Sequence, residues 1–344
     1  MENPENSILE QITSKEALFA AWSEFKSGKM KRRDVQEYWR RLEKNVFKLH
    51  RDLRVKSYRH GPYASFYIQD PKVRHVRKAC VRDRLVHQAL YTYLTRLYES
   101  RFIHHLYSSR IKKGTHRGVD ALQRMTLETS RNLTCPCWAL KCDIRKFYDT
   151  VDHELLLNLL EENIGDRDVI WLLREIIRSF HVEGTPGKGL PIGNLTSQIF
   201  TSVYLNEFDQ FMKHKLRARH YIRFADDFVI LSHRKQELEE ILPRVRSFLS
   251  ENLHLELHPH KIILRPLRQG IDFLGYVTLP HHRVLRTKTK RRMKRKLKSK
   301  LAMYFKGEVS EQSLHQSMQS YLGLMKHADT YKLQDEIKNA FCWR

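Results

Sequence analysis

The sequence predicts an α+β fold in which an antiparallel sheet carries carboxylates and helices pack around it. Within residues 221–231, two runs of aromatic and β-branched residues flank Asp226-Asp227, a pattern typical of a hairpin with acids at its tip. A second run, residues 138–144, alternates apolar with small or polar residues and contains Asp143 near its end. Apolar residues at helical spacing, as in residues 85–97, predict the helices.

The remaining elements follow from the same patterns. Residues 1–60 are strongly charged and helical in pattern, and Asp152 is a candidate N-cap for the helix that follows it. Residues 286–300 contain ten Lys or Arg and no acid, and two helices are predicted after them. In order, the other expected elements are strands at 65–69 and 73–77, a helix at 84–102, a basic loop at 111–118, a Gly- and Pro-rich loop at 184–193, a helix at 196–216, a helix at 235–251, short strands around 255–264 and a strand at 271–277.

The Asp226-Asp227 pair is the first candidate for chemistry. Two adjacent carboxylates beside a buried strand are costly unless a cation compensates them, and oxygen ligands favour Mg²⁺ or Mn²⁺ over zinc. A solvated turn is the alternative, because Asp is common in turns, and the pair alone does not decide between the two. Asp143 on its own strand supplies a third carboxylate. Three carboxylates can hold two Mg²⁺ ions about 4 Å apart, which favours the metal site.

The charge of the chain indicates its class of partner. Across 344 residues, 63 Lys and Arg oppose 39 Asp and Glu, for a formal net charge of +24. Such an excess predicts a polyanion partner, most simply nucleic acid. No apolar run approaches the length of a membrane-spanning helix, and the N-terminus does not resemble a signal peptide. Five irregularly spaced cysteines fit a reducing compartment, so we expect a cytoplasmic protein with no membrane partner.

Four short motifs follow one another along the chain. Their sequences are Asp143-Ile144-Arg145-Lys146-Phe147-Tyr148-Asp149-Thr150-Val151-Asp152-His153, Gly189-Leu190-Pro191-Ile192-Gly193-Asn194-Leu195-Thr196-Ser197-Gln198, Phe224-Ala225-Asp226-Asp227 and Phe273-Leu274-Gly275-Tyr276. In this order they resemble the first catalytic motif, the motif that follows it, the aromatic-x-Asp-Asp box and the primer-grip box of reverse transcriptases. The resemblance covers roughly residues 60–300 and is more specific than any single motif.

This resemblance implies a right-hand polymerase that copies RNA into DNA by two-metal nucleotidyl transfer. A template RNA, a primer or cDNA duplex and dNTPs are the implied partners. The implied domains are a helical extension at 1–60, fingers at 61–137, a palm at 138–280 with a finger-side insertion around 165–195, and a basic helical thumb at 281–344. The implied location is the cytoplasm of a bacterial host cell.

The resemblance also implies the metal ligands. Asp143, Asp226 and Asp227 are the expected catalytic residues and would hold two Mg²⁺ ions, with Mn²⁺ as a substitute. In related enzymes the second Asp of the pair contributes less to metal binding, so Asp227 is the weakest of the three. Ile144 is expected to lend its backbone carbonyl to the nucleotide-bound metal. The alternative is that the acids pair with the many arginines, which the three matching sequence contexts disfavour.

Several residues match positions that contact the incoming nucleotide. Tyr148 matches a sugar gate that excludes a 2′-hydroxyl, with a core aromatic as the alternative. Arg74 aligns with an arginine of the fingers whose guanidinium fork grips the triphosphate, and Lys72 either assists it or is a solvated strand charge. Lys261 matches a Lys that protonates the departing pyrophosphate, although a surface role fits it as well. An apolar residue stands at 192 where many retroviral enzymes have Gln, which predicts relaxed base selection. The set is Lys72, Arg74, Tyr148, Ile192, Gln198 and Lys261.

Basic side chains are expected to contact the nucleic acid itself. Ten bases without an acid in residues 286–300 exceed what solubility needs and fit a thumb segment that follows duplex phosphates. For Arg82 and Arg84, solvation at the start of a helix is an equally good explanation. The expected contacts are Arg82, Arg84, Arg286, Lys288, Lys290, Arg291, Arg292, Lys294 and Arg295.

One departure narrows the resemblance. Most reverse transcriptases end the middle motif in Ser-Pro, whereas this chain has Ser197-Gln198. That pair, the preceding Leu195-Thr196 and the loop 113–116 look like enzymes of diversity-generating retroelements. The likeness implies error-prone copying of a template-repeat RNA at adenines, mutagenic retrohoming, and an oligomeric accessory variability protein as partner. Group II intron, retron and defence-type reverse transcriptases are alternatives, as is a non-catalytic RNA-binding scaffold. Gln198 either contacts the template or stabilises its turn.

Overall fold

The computed structural model describes residues 7–69 and 73–341. The chain forms two compact units, each built from several segments. The first comprises Met1–Arg110, Ile144–Arg217 and Arg244–Pro259, and the second Ile111–Asp143, Ala218–Pro243 and His260–Arg344. None of the described helices combines the length and the apolar composition that crossing a bilayer requires.

The helices occupy most of the chain. Asp152 and Asp166 cap α8 and α9 by accepting hydrogen bonds from the second and third backbone amides of each helix, so the predicted N-cap at Asp152 is confirmed. In chain order the helices are α1 (Ile8–Thr13), α2 (Lys15–Lys26), α3 (Arg33–Trp39), α4 (Leu42–Arg54), α5 (Val81–Tyr98), α6 (Thr115–Thr129), α7 (Phe147–Thr150), α8 (His153–Glu161), α9 (Arg167–Ile177), α10 (Leu195–Tyr204), α11 (Asn206–Gln210), α12 (Lys235–Leu253), α13 (Thr287–Phe305), α14 (Glu311–Met325) and α15 (Tyr331–Phe341).

Within the described residues, the strands form three antiparallel sheets. They are β1 (Ala64–Gln69), β2 (Val73–Lys78), β3 (Trp138–Asp143), β4 (His220–Phe224), β5 (Asp227–Ser232), β6 (Ile263–Pro266), β7 (Ile271–Phe273), β8 (Tyr276–Thr278) and β9 (Arg283–Leu285). The first unit contains the β1–β2 ribbon. The second contains a four-stranded sheet of order β4-β5-β3-β6 and a three-stranded sheet of order β7-β8-β9.

Three predicted elements differ in the structure. The long helix expected at 196–216 is interrupted, because α10 ends at Tyr204, α11 follows, and Phe211–Lys215 forms a π-helical turn. In α10 the hydroxyls of Thr201 and Ser202 donate to the carbonyl of Gln198, at 2.9 and 3.1 Å, and such back-bonding bends helices.

The strand expected at 271–277 is instead a hairpin, β7–β8. Leu274 and Gly275 both have positive φ, 52° and 89°, which is the backbone of the two-residue turn that joins antiparallel strands. Around 255–264, only β6 is a full strand. Leu257 forms a single bridge with Ile144, and a 3₁₀ turn spans Pro259–Lys261, where proline lacks the amide that a central strand would need.

Each unit has its own buried interior. In the first unit α5 packs against α2 and α10, and Leu85 and Leu90 of α5 are fully buried. In the second unit Met293 and Leu297 of α13 pack into a cluster with Tyr276 of β8. The three-stranded sheet and the basic helix therefore share one core.

Candidate active site

Two of the predicted acids lie opposite each other on neighbouring strands of the four-stranded sheet. Asp143 is the last residue of β3 and Asp227 the first of β5, and they are directly opposite in the antiparallel register. Directly opposed residues bring their Cβ atoms to about 5 Å. Asp226 lies in the turn that joins β4 to β5. The structure therefore brings the three predicted carboxylates to one end of one sheet.

The alternation of buried and half-buried residues along β3 explains which face of the sheet Asp143 lies on. Leu140 and Cys142 are buried, whereas Lys141 and Asp143 alternate with them and are half-buried. Successive side chains of a strand point to opposite faces, so Lys141 and Asp143 share a face. The sequence pattern had indicated the strand and its acid, but it gave no role to Lys141.

A buried arginine supports the tip of the hairpin. Ala225 adopts φ 52°, an uncommon conformation for a residue with a side chain. The guanidinium of Arg223, whose residue is fully buried, donates to the Ala225 carbonyl at 3.1 Å. Arg223 was not among the predicted site residues. A charged residue that follows Tyr221-Ile222 and precedes Phe224 in a strand is the signal that could have indicated it.

Two lysines accompany the acids. The ammonium of Lys261 donates to Asp143 Oδ1 at 2.6 Å, and that of Lys141 lies 3.2 Å from Asp227 Oδ2. Lys141 also donates to the backbone carbonyl of Asp272 at 2.8 Å. The expected nucleotide-site residue Lys261 thus lies directly against an acid of the sheet.

Asp227 is the most perturbed acid of the site. Burial raises the pKa of its carboxyl from 3.8 to about 6, against the opposing effect of Lys141, and the nearby charges of Asp143 and Asp226 raise it further. Its Oδ1 atom is buried and has no hydrogen-bond partner within the described parts of the chain. A single lysine therefore compensates this carboxyl only in part.

The residues fit a hard divalent cation by their chemistry. Carboxylate oxygens are the ligands that Mg²⁺ prefers, and the orphaned Asp227 Oδ1 is an oxygen that a cation would satisfy. As the side chains lie, no three His, Cys, Asp or Glu residues converge as a ligand cluster anywhere in residues 7–69 and 73–341. Asp143 and Asp227 are held by lysine ammoniums instead.

Most of the expected nucleotide-contacting residues belong to the first unit. Arg74 lies exposed on β2 opposite Ile68, while Lys72 lies outside the described residues. Tyr148 is half-buried on α7, and its carbonyl accepts a hydrogen bond from the Leu190 amide at 2.7 Å.

The middle motif packs against β2 in the same unit. The Ile192 carbonyl accepts from the Arg77 amide at 2.9 Å. Gly193 has φ 111°, and a Cβ there would lie 2.6 Å from Val76 Cγ1, so this close approach requires glycine. Gln198 is exposed and its side-chain oxygen accepts from Ser109 at 3.4 Å.

Three further predicted residues have structural contacts in the first unit. Arg82 donates to the buried carboxylate of Asp83 at 3.1 Å, and Arg84 pairs with Asp34 at 2.5 Å. Ile144 is buried and forms the bridge with Leu257.

The basic run of the second unit forms α13. Arg286 precedes the helix and its guanidinium contacts the carboxylate of Asp272, while Lys294 pairs with Glu336 at 2.5 Å. The other predicted contacts differ in exposure. Lys288, Arg291 and Arg295 are exposed, and Lys290 and Arg292 are half-buried.

Comparisons with known proteins agree with the motifs. A family model described as reverse transcriptase (RNA-dependent DNA polymerase) matches residues 68–278. Protein YkfC of Escherichia coli K12 is 25% identical over 255 residues, covering 64% of this chain and 65% of that protein. The group II intron-encoded protein LtrA of Lactococcus lactis subsp. cremoris is 21% identical over 303 residues, covering 68% and 49%. The chain thus spans less than two thirds of either relative.

Solved polymerase structures share the fold of this chain. Telomerase from Candida albicans, solved with a fragment of telomeric RNA, superposes with a TM-score of 0.51 at 11% identity, covering 72% of this chain and 52% of the telomerase chain. Together with the family match, this confirms the predicted α+β right-hand polymerase fold.

Proposed function

Because the chain belongs to the reverse transcriptase family, we propose that it is an RNA-directed DNA polymerase that extends a primer along an RNA template with dNTPs. The observation that carries the proposal is the placement of Asp143 opposite Asp227, with Asp226 in the adjoining turn. Scattered surface acids would not share one end of one sheet. This arrangement is what a nucleotidyl transfer centre needs.

Asp143 and Asp226 are the proposed principal ligands of two Mg²⁺ ions, for which Mn²⁺ would substitute. Asp227 and the Ile144 carbonyl have supporting roles. When bound, the ions would stabilise the in-line displacement at the α-phosphorus of the dNTP. Lys261, whose ammonium already lies 2.6 Å from Asp143 Oδ1, would donate a proton to the departing pyrophosphate.

The remaining candidate residues have proposed roles in substrate binding. Arg74, with Lys72, would grip the triphosphate through charge-assisted hydrogen bonds. Tyr148 would exclude a ribose 2′-hydroxyl, and Ile192 and Gln198 would border the nascent base pair. The exposed bases of α13 would follow the phosphates of the template–primer duplex, with Arg82 and Arg84 as secondary contacts. The proposed domains are fingers at 61–137, a palm at 138–280 and a thumb at 281–344, with a helical extension at 1–60. The proposed location is the cytoplasm of a bacterial cell.

We further propose the diversity-generating type of reverse transcriptase, which copies a template-repeat RNA with errors at adenines and works with an accessory variability protein. The support is Ser197-Gln198 at the end of the middle motif, together with Leu195-Thr196 and the loop 113–116. The second candidate is a group II intron-type enzyme, which the similarity to LtrA favours. Sequencing of cDNA made in vitro separates the two, because mismatches concentrated at template adenines support the first and an even spread supports the second.

Primer extension tests the polymerase proposal. The purified protein should extend a DNA primer on an RNA template when dNTPs and Mg²⁺ are present. The double substitution Asp226→Ala/Asp227→Ala should abolish extension, while the affinity for the RNA template–primer changes less than about twofold. Asp329→Ala, at an exposed acid of the same unit, is the matched control and should extend normally. Wild-type protein that binds RNA but never extends a primer would instead indicate a binding scaffold.

A further inference from the structure

Lys141 makes contacts that no motif predicted. Its side chain is 14% exposed, and its ammonium lies between Asp227 Oδ2, at 3.2 Å, and the backbone carbonyl of Asp272, at 2.8 Å. Lys141 therefore links β5 of the four-stranded sheet to β7 of the three-stranded sheet. A buried ammonium with two oxygen partners is held in one position more firmly than a solvated one.

The contacts continue from Asp272 to the basic helix. The carboxylate of Asp272 contacts the guanidinium of Arg286, the residue that precedes α13. The Arg286 amide also donates to the Gly275 carbonyl, at 3.0 Å, in the turn between β7 and β8. Asp227, Lys141, Asp272 and Arg286 thus form one continuous line of polar contacts within the second unit.

We propose that Lys141 is a positioning residue of the carboxylate cluster, which clamps Asp227 and joins it through Asp272 to Arg286 at the start of the basic helix. The role in catalysis rests on the proposed polymerase function, whereas the clamp itself does not. Lys141 acts by fixing one acid of the sheet and by coupling that acid to the helix that would bind the duplex.

The alternative is that Lys141 only neutralises charge in the neighbourhood. General neutralisation would be supplied equally by a lysine that did not touch Asp272, and it would not depend on Arg286. The clamp instead requires both contacts, so its loss should resemble the loss of Arg286. A double-mutant cycle separates the two ideas, because residues in one polar network are not additive.

The first test measures stability and needs no activity. Lys141→Met leaves Asp227 as a partly buried carboxylate without its lysine, which should lower the Tm by several degrees. Asp227→Asn alone and combined with Lys141→Met complete the cycle at pH 8, and Lys141→Met should cost less than half as much Tm in the Asp227→Asn background as in wild type. Lys332→Met, at an exposed lysine of α15, is the control and should leave Tm unchanged. A Lys141→Met Tm equal to that of the control, or an equal loss of Tm in both backgrounds, would overturn the clamp.

The second test measures steady-state extension of a primer on an RNA template. We expect Lys141→Met and Arg286→Met each to lower kcat about tenfold, and the double variant to lower it by little more than the worse single change. For Lys141→Met the KM for primer–template should change less than about twofold. Lys141→Arg keeps a cation that can donate to both Asp227 and Asp272, and it should recover most of kcat. Independent effects that multiply to about a hundredfold would overturn the coupling. If wild-type protein does not extend primers, the polymerase function fails, while the Tm cycle still decides on the clamp.

Discussion

Lys261 donates a hydrogen bond to Asp143 at 2.6 Å, so the lysine proposed to serve the nucleotide and the first of the proposed catalytic acids meet within the second unit, although they are 118 positions apart in the sequence. The Lys261 side chain is 36% exposed and that of Asp143 is 17% exposed. A lysine that retains access to solvent beside an acid of the proposed metal site is well placed to reach a departing phosphate. This contact distinguishes Lys261 from an ordinary surface lysine.

Replacing Lys261 should slow chemistry more than binding. Without its ammonium the departing pyrophosphate lacks a proton donor, and we expect Lys261→Met to lower the rate of single-nucleotide incorporation about 10²-fold with a smaller change in dNTP affinity. Rapid-quench measurements over a range of dNTP concentrations separate the two quantities. An incorporation rate within about twofold of wild type would remove Lys261 from the chemical step.

The stability of the metal-free protein should depend on pH through Asp227. Burial raises its pKa in the folded protein to about 6, above the ordinary value of 3.8, so between about pH 4 and pH 6 the folded state holds a proton that the unfolded state has lost. The contribution of Asp227 to the free energy of unfolding therefore falls as pH rises through this window, by roughly 3 kcal/mol, and this contribution is constant above it.

Asp227→Asn should remove that dependence. In buffer with EDTA, denaturant unfolding at pH 4 and pH 8 should show the variant more stable than wild type at the higher pH, with the two nearly equal at the lower pH. Asp329→Asn serves as the control for the exposed acids that titrate in the same range. An unchanged pH profile in Asp227→Asn would mean that the carboxyl is not held at a raised pKa.

The sugar preference should depend on Tyr148. If its ring occupies the space of a 2′-hydroxyl, Tyr148→Ala should raise the incorporation of ribonucleotides relative to deoxynucleotides by about tenfold or more. Tyr148→Phe keeps the ring and should keep the discrimination. Competition assays with matched rNTP and dNTP give this ratio directly, and equal ratios for all three proteins would return Tyr148 to the role of a core aromatic.

Base selection should depend on Ile192. A glutamine restores a hydrogen-bonding group near the nascent pair, and one additional hydrogen bond is worth about 1 kcal/mol, or about a fivefold change in discrimination. We expect Ile192→Gln to lower misincorporation by that factor, with Ile192→Leu unchanged. Sequencing of cDNA from a defined RNA template measures both. Identical error rates in the two variants would contradict the role of this position.

The acids were predictable because their signal is local. Asp143 ends a run with strand alternation, and Asp226-Asp227 interrupts two runs rich in aromatic and β-branched residues, so the strands follow from short segments. Their register, with Asp143 opposite Asp227, came only from the structure. The motif order then indicated the fold. Asp152 as an N-cap is equally local, since its partners are the amides of Glu154 and Leu155.

The contacts that complete the site were not predictable, because they join distant parts of the chain. Lys141 donates to the carbonyl of Asp272, which is 131 residues away in sequence. Every residue has a backbone carbonyl, so the side-chain pattern of the sequence does not indicate this acceptor. The hairpin at 271–278 was missed because Leu274-Gly275 is not one of the usual Asn-Gly or Asp-Gly turn signals.

The central claim is that Asp143, Asp226 and Asp227 bind the divalent ions of a polymerase, and the number of bound ions tests it most directly. Mn²⁺ bound to the complex of protein, RNA template, dideoxy-terminated primer and matched dNTP can be counted by electron paramagnetic resonance, with the complex lacking protein as the reference. We expect two protein-dependent ions for wild type and for Asp329→Asn, and a loss of at least one in Asp143→Asn. An unchanged number of ions in Asp143→Asn would contradict it.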